Sequence, residues 1–346
     1  MGFEIKRRKC LHRKGRILIL NSSKWSGFKL CDLLTGVIII SNHLSPEVRV
    51  QIEPGNPSIE RILEKCIKCG NCRDVCRNYI SVLGYYVLDT YFAADLTIVE
   101  EASELVERLS HADASKPLPQ FTSCCPAWVK FAEIYYPELL QHISSAKSPI
   151  GMQGPTIKTY FAKKMGIDPK TIVNVALTPC TEKKYEIRRE EMNAAGRYLG
   201  IDGMRDMDYV ITTRELAAWA REEHIDFPSL RDSPYDPLMS QASGAGDHFR
   251  KYGRCDGAAL RTSYTYLTGS PAPEKLYDLK PVRGMEGLRE ASLSIAGKDI
   301  RVAVIYGRAN ARKFFDRQKK EPKDYEFVEV MTCSGGCIVG GQPKGT

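Results

Sequence analysis

Long apolar runs are missing from this 346-residue chain. Nothing in it approaches the eighteen or more consecutive apolar residues of a membrane-spanning helix. The most apolar stretch, LLTGVIII at 33–40, reads as a buried strand. Behind the basic start, ILIL at 17–20 is too short for the core of a secretory signal, so no membrane partner and a cytoplasmic location are expected. Histidine is scarce, and its six copies show no metal-ligating spacing. SGAG at 243–246 is followed by no Lys-Ser/Thr pair and reads as a turn, not a phosphate loop. Internal repeats and low-complexity tracts are also lacking. An excess of one charge is confined to the first sixteen residues, MGFEIKRRKCLHRKGR, with seven Lys and Arg against one Glu. The rest of the chain carries 43 basic and 41 acidic residues, which excludes a broad basic face for nucleic acid. The arm itself is either a solvated tail or a dock for an acidic partner.

Cysteine, by contrast, is abundant. Twelve copies stand at positions 10, 31, 66, 69, 72, 76, 124, 125, 180, 255, 333 and 337. In a reducing compartment structural disulfides are rare, so clustered thiols point to metal or redox chemistry. Cys66, Cys69, Cys72 and Cys76 form C-x2-C-x2-C-x3-C, the bacterial ferredoxin run for a [4Fe-4S] cluster, with zinc as the plainer alternative. In that run the fourth cysteine ordinarily serves a second cluster and precedes proline. Here Arg77 follows and no second run exists. Either Cys76 closes a single cluster or a distant thiol such as Cys10 or Cys31 does. Cys255, in GRCDGAALR, reads as a buried small hydrophobe.

Three segments follow from composition and turn signals: a basic arm with an ambiguous stretch over 1–55, a cysteine-rich module over 56–82, and a main body over 83–346. The turn cluster PGNPS (54–58) marks the first boundary. In the body, LTIVEEASELVERLS (96–110) is predicted helical, with Val99, Ala102, Leu105, Val106 and Leu109 as its apolar stripe. TTRELAAWAREE (212–223) is a second predicted helix. Strands are predicted at 16–20, 36–40, 171–178, 208–213, 300–307 and 325–332. Strands alternating with helices indicate an α/β fold with ligands at strand carboxyl ends. Cys125, Cys180 and Cys333 each follow such a run.

The pairs and singles Cys124–Cys125, Cys180 and Cys333–Cys337 lie on three distant loops, which suits a cofactor larger than a zinc ion. Gly335, Gly336, Gly340 and Gly341 would let backbone approach it closely. The segments TSCCPAW, TPCTEKKYE and EVMTCSGGCIVGGQP resemble, in order, the three signature segments of the [FeFe]-hydrogenase catalytic domain. ADLTIVEEASELVER, YYPELL, SSAKSP and VITTREL agree as well, so the resemblance covers the chain from about residue 85 onward.

That resemblance implies a two-lobed iron-only hydrogenase fold with parallel and mixed sheets flanked by helices, preceded by a small ferredoxin-like segment. It implies an H-cluster: a [4Fe-4S] cubane joined to a two-iron unit carrying CO, cyanide and azadithiolate. Cys125, Cys180, Cys333 and Cys337 match the cubane ligands, with Cys337 as the bridge. Lys183 matches the lysine that bonds a cyanide, and Pro179, Ser148 and Met331 match residues around the cavity. The implied activity is reversible formation of H2 from protons and electrons. The cluster at 66–76 would relay electrons from ferredoxin or a similar carrier, and maturases would install the two-iron unit.

A buried centre that consumes protons needs groups able both to donate and to accept them. With Cys125 on iron, the Cys124 thiol is left for that task, since it exchanges protons near neutrality far more readily than a serine. Glu101, Glu104 and Arg108 share one helix face, and Ser144 could bridge the gap. Together these five match the family's proton pathway. Read without the resemblance, Glu104–Arg108 is an ordinary surface i,i+4 pair.

The chain departs from the family pattern in several places. CIVGGQP is one glycine short, Thr178 replaces a common methionine, and the segment between Cys76 and ADLTIVEE is abbreviated. GRCDGAALR lacks the usual run before Ala-Ala-Leu-Arg. No wrapping segment follows Pro343, which implies a separate small subunit as a possible partner. Two alternatives keep a cubane: a catalytically silent iron–sulfur assembly scaffold, which has no need of a proton chain, and a redox or H2 sensor, which would turn over slowly.

Overall fold

Ala291, Leu293 and Ile295 are buried while Ser292 and Ser294 face solvent, the two-residue period of a half-covered strand. This stretch pairs antiparallel with Lys298–Tyr306 through a two-residue turn, Ala296–Gly297. Both turn residues have positive φ, 51° and 78°, as the twist of a tight hairpin demands. The computed structural model describes residues 37–39, 85–111, 113–222, 224, 230, 235–236, 238–239, 241–243, 256–273, 276, 279–321 and 323–333. Among them the strands are β1 (Val37–Ile39), β2 (Tyr86–Leu88), β3 (Gln120–Phe121), β4 (Asn174–Thr178), β5 (Tyr209–Thr212), β6 (Lys280–Val282), β7 (Met285–Ile295), β8 (Lys298–Tyr306) and β9 (Phe327–Met331). The helices that matter below are α1 (Thr90–Ser110), α2 (Pro126–Tyr135), α3 (Pro149–Thr156), α4 (Lys183–Glu186), α5 (Thr213–Glu222), α6 (Asp256–Thr268) and α7 (Arg308–Lys320).

The chain divides into two compact units, Met1–Thr90 with Gln153–Gln241, and Tyr91–Met152 with Ala242–Thr346. In the first unit the sheet order is β2-β1-β4-β5. β4 and β5 run parallel, and β1 is antiparallel to both its neighbours. β4 starts three residues later than the apolar run suggests, because Pro169–Thr171 forms a 3-10 turn capped by Asp168, which accepts from the Lys170 amide. Charge is buried here in satisfied form. Lys158 Nζ lies 2.9 and 2.7 Å from the two Asp208 carboxylate oxygens, and the Asn174 amide donates to Asp208 Oδ2 at 2.7 Å.

In the second unit the order is β3-β9-β8-β7-β6, with β3, β9 and β8 parallel and β7 and β6 antiparallel. The architecture is α/β with mixed sheets, as the alternating pattern indicates. One core cluster is aromatic: Phe315 of α7 stacks on Trp128 of α2 at 5.3 Å between ring centroids and meets Phe121 edge-on at 5.7 Å. A second cluster packs Leu105 of α1 and Leu260 of α6 on Leu293, Ile300, Val302 and Phe327.

Helix α1 corrects the predicted stripe. Ala102 and Leu105 are fully buried, but Val99 is 40% exposed and Val106 and Leu109 are half-covered. The buried face also takes in Thr97, Glu101, Glu104 and Arg108. Apolar periodicity misses such a face because the polar residues on it satisfy one another instead of water. The expectations for the basic arm, the strand at 16–20, Cys10, Cys31, the run Cys66–Cys76, Cys255 and Cys337 lie outside the described residues. Among the described residues no helix is long and apolar enough to cross a membrane.

Candidate active site

Within the second unit, α1 carries Glu101, Glu104 and Arg108 inward. Glu104 Oε1 accepts from Arg108 Nη2 at 2.7 Å, and only 2% and 7% of the two side chains is exposed. This is not the surface pair that spacing alone suggests. Glu104 Oε2 accepts from Ser144 Oγ at 2.6 Å, from the Ser145 amide at 2.9 Å and from Ser145 Oγ at 3.3 Å. Arg108 is clamped further by carbonyls: Nη1 donates to Pro117, His142 and Gln141, and Nη2 also reaches Ile143. Ser144 is held in place by its own amide, which donates to the Phe121 carbonyl at 2.8 Å.

Glu101, one turn earlier, is fully buried. Its Oε1 accepts from the Ser123 amide at 3.3 Å, and its Oε2 has no hydrogen-bond partner among the described residues. Burial in a low-dielectric surround pushes its carboxyl up to about 7; the Ser123 amide opposes this and the nearby Glu104 charge adds to it. A carboxyl that titrates there is suited to general acid–base work at neutral pH. Cys124 follows Ser123 directly and is buried, 6% exposed.

Cys125 ends the loop and is the N-cap of α2, with Pro126 at the first helical position. Its carbonyl accepts from the amides of Trp128 and Val129. Its own thiol is therefore set at a helix N-terminus. Cys125 Sγ lies 3.3 Å from Thr332 Oγ1, the residue just past β9. The parallel pairing of β3 with β9 makes this contact, and it brings Cys125 to the strand end that carries Met331 and Cys333. Met331 is buried, 1% exposed, and its carbonyl accepts from the Gly307 amide. Ser148 is equally buried and caps α3, its carbonyl accepting from Met152 and its hydroxyl from the Gly151 amide at 3.4 Å.

In the first unit, Pro179 and Cys180 follow β4 directly. Thr178 Oγ1 accepts from the Cys180 amide at 3.3 Å, so the residue that departs from the family pattern shapes the turn bearing the thiol. Lys183 opens α4 and is buried; its Nζ pairs with Glu186 Oε2 at 2.8 Å. The four described thiols, Cys124, Cys125, Cys180 and Cys333, form no disulfides. Thiols at strand ends and at a helix N-terminus are the donor chemistry that iron–sulfur clusters require. Among the described residues no three His, Cys, Asp or Glu side chains gather as a metal site. Sequence reasoning missed Ser123, Ser145 and Thr332. Each is adjacent in sequence to a residue already singled out, which was the available signal.

The chain matches the family described as iron only hydrogenase large subunit, C-terminal domain, over residues 57–341. It is 46% identical over 253 residues to the periplasmic [Fe] hydrogenase large subunit of Nitratidesulfovibrio vulgaris, covering 73% of this chain and 58% of that one. A solved variant of the [FeFe]-hydrogenase from Chlamydomonas reinhardtii superposes with a TM-score of 0.65 at 38% identity, over 75% and 71% of the two chains. At greater distance, a cytosolic Fe-S cluster assembly factor of Danio rerio is 30% identical over 272 residues, 76% of this chain and 64% of that one. The chain belongs to the iron-only hydrogenase large-subunit family, which implies an H-cluster iron–sulfur cofactor. It spans less than two thirds of the length of either curated relative.

Proposed function

We propose that this chain is the catalytic part of an [FeFe]-hydrogenase. The observation that carries the reading is the buried acid chain of the second unit: Arg108–Glu104–Ser144 hydrogen-bonded in series, and Glu101 fully buried with its carboxyl pushed up to about 7. A scaffold that only holds a cluster gains nothing from two carboxyls kept out of water, since burial of each charge costs several kcal/mol unless compensated.

The residues proposed to hold the H-cluster are Cys125, Cys180, Cys333 and Cys337. Bound there, the cluster would supply the redox-active iron at which H2 is made or split. The rest is the work of the chain. Thr332 Oγ1 beside Cys125 Sγ is placed to donate to a ligating thiolate and hold its orientation. Glu101 takes up and releases a proton near neutral pH. The Ser123 amide orients its Oε1 and leaves Oε2 as the oxygen able to exchange a proton. Cys124, next along the loop, is the proposed inner member of the chain. Electrons would arrive through a [4Fe-4S] cluster at Cys66, Cys69, Cys72 and Cys76 from a ferredoxin-type carrier.

The likeness to the assembly factor favours a second reading, a catalytically silent cluster protein. Anaerobic production with hydrogenase maturases, followed by a reductant-driven H2 assay, separates the two. The proposed function expects H2 evolution; a fully metallated protein with no turnover supports the scaffold instead.

A further inference from the structure

Three groups approach Glu104, and they differ in what they can do. Arg108 touches Oε1, but a guanidinium stays protonated and offers donors only. Among the described residues it makes five hydrogen bonds, all donations and four of them to carbonyls. It can orient Glu104 and neutralise it, yet it cannot take a proton from water and hand it on. Ser144 touches Oε2 at 2.6 Å but is buried, 5% exposed, and receives the Ala146 amide at 3.2 Å on its hydroxyl oxygen. Ser145 touches the same Oε2 with both its amide and its hydroxyl, and it is solvent-exposed. One carboxylate oxygen thus has the hydroxyl of a buried residue on one side and the hydroxyl of an exposed residue on the other.

We infer that Ser145 is the solvent port of the acid chain: its hydroxyl passes protons between bulk water and Glu104, while Arg108 only positions the carboxylate. The step balances without a redox partner. A hydronium ion of bulk water gives a proton to Ser145 Oγ: its own O–H bond breaks, leaving neutral water, as a new O–H bond forms at Ser145. The original Ser145 O–H breaks as its proton moves to Glu104 Oε2. In the outward direction each transfer reverses. A hydroxyl is fit for this because it donates and accepts at once. The 3.3 Å separation is long for such a bond, so transfer waits on the hydroxyl closing toward the 2.6 Å that Ser144 already has. The assignment rests on the hydrogenase reading for its purpose, but its geometry does not.

The test reads deuteration of the buried carboxyls directly. The full chain, produced with and without maturases, is mixed rapidly into D2O near pH 6, and the isotope shift of the protonated carboxyl band is followed by infrared spectroscopy. Ser145→Ala keeps the backbone amide on Glu104 and is expected to slow deuteration at least several-fold in both preparations. Ser145→Thr, which restores a hydroxyl, is expected to recover most of the rate. In the matured protein Ser145→Ala should also enlarge the solvent isotope effect on turnover without changing the KM for the electron donor. Slowed deuteration in a chain that makes no H2 would uphold the port and count against the hydrogenase reading. Unchanged deuteration in Ser145→Ala, or a slowing that Ser145→Thr leaves uncorrected, overturns the port whatever the turnover.

Discussion

Two adjacent cysteines, Cys124 and Cys125, sit where the loop after β3 meets α2, and the backbone gives them different surroundings. Cys125 has extended φ and ψ of −95° and 102° as the helix N-cap and reaches Thr332; Cys124 follows the residue whose amide touches Glu101. Replacing Cys124 by Ala should leave cluster loading intact and lower H2 turnover by about 10²-fold or more, the usual worth of a positioned proton donor. Turnover within twofold of the parent would remove Cys124 from the chain. Glu101 makes a separate claim on stability. Its carboxyl is raised from 4.5 to about 7, so below about pH 4.5 both the folded and the unfolded chain carry the proton and burial adds no penalty. Between those values the unfolded chain ionises first, and the stability contribution is lost as pH rises through the folded value, about 3 kcal/mol in all. Denaturant unfolding of the parent and of Glu101→Gln at pH 4.5 and 7.5 checks this: the parent should lose about 3 kcal/mol relative to the variant across that window. Parallel pH profiles would contradict it.

The elements that position these residues were unequally legible. Strands with unbroken apolar runs, β5, β8 and β9, stand within two residues of where periodicity places them. The hairpin partner β7 was missed, because GLREASLSI carries charged residues on its open face and its Ala-Gly turn is not a strong turn dipeptide. The proposed ligands stand out as sequence motifs, whereas the burial of Glu104 and Arg108 does not. Spacing reports a shared face, not whether that face meets water. What sets the face is the packing of α1 and α2 against the five-stranded sheet. Phe315 of α7 is the keystone there, 4% exposed, with Trp128, Phe121, Tyr136 and Phe314 all within 5.7 Å between ring centroids. Phe315→Ala should destabilise the chain by about 3–5 kcal/mol in chemical denaturation. It should also loosen Cys125, since α2 loses the ring that holds Trp128. A loss below 1 kcal/mol would show that the cluster closes over the gap and that α2 is held from elsewhere.

At the scale of the whole molecule, family membership and the buried acid chain point the same way, and the likeness to an assembly factor points to the one serious competitor. The two readings share cubane thiols and differ in what else is bound: only a hydrogenase takes up a two-iron unit with CO and cyanide ligands. The measurement that tests the central claim most directly is therefore the infrared spectrum of the full chain produced anaerobically with hydrogenase maturases. The account predicts metal-bound CO and cyanide bands that shift on exposure to H2. Cubane absorption with those bands absent would contradict it.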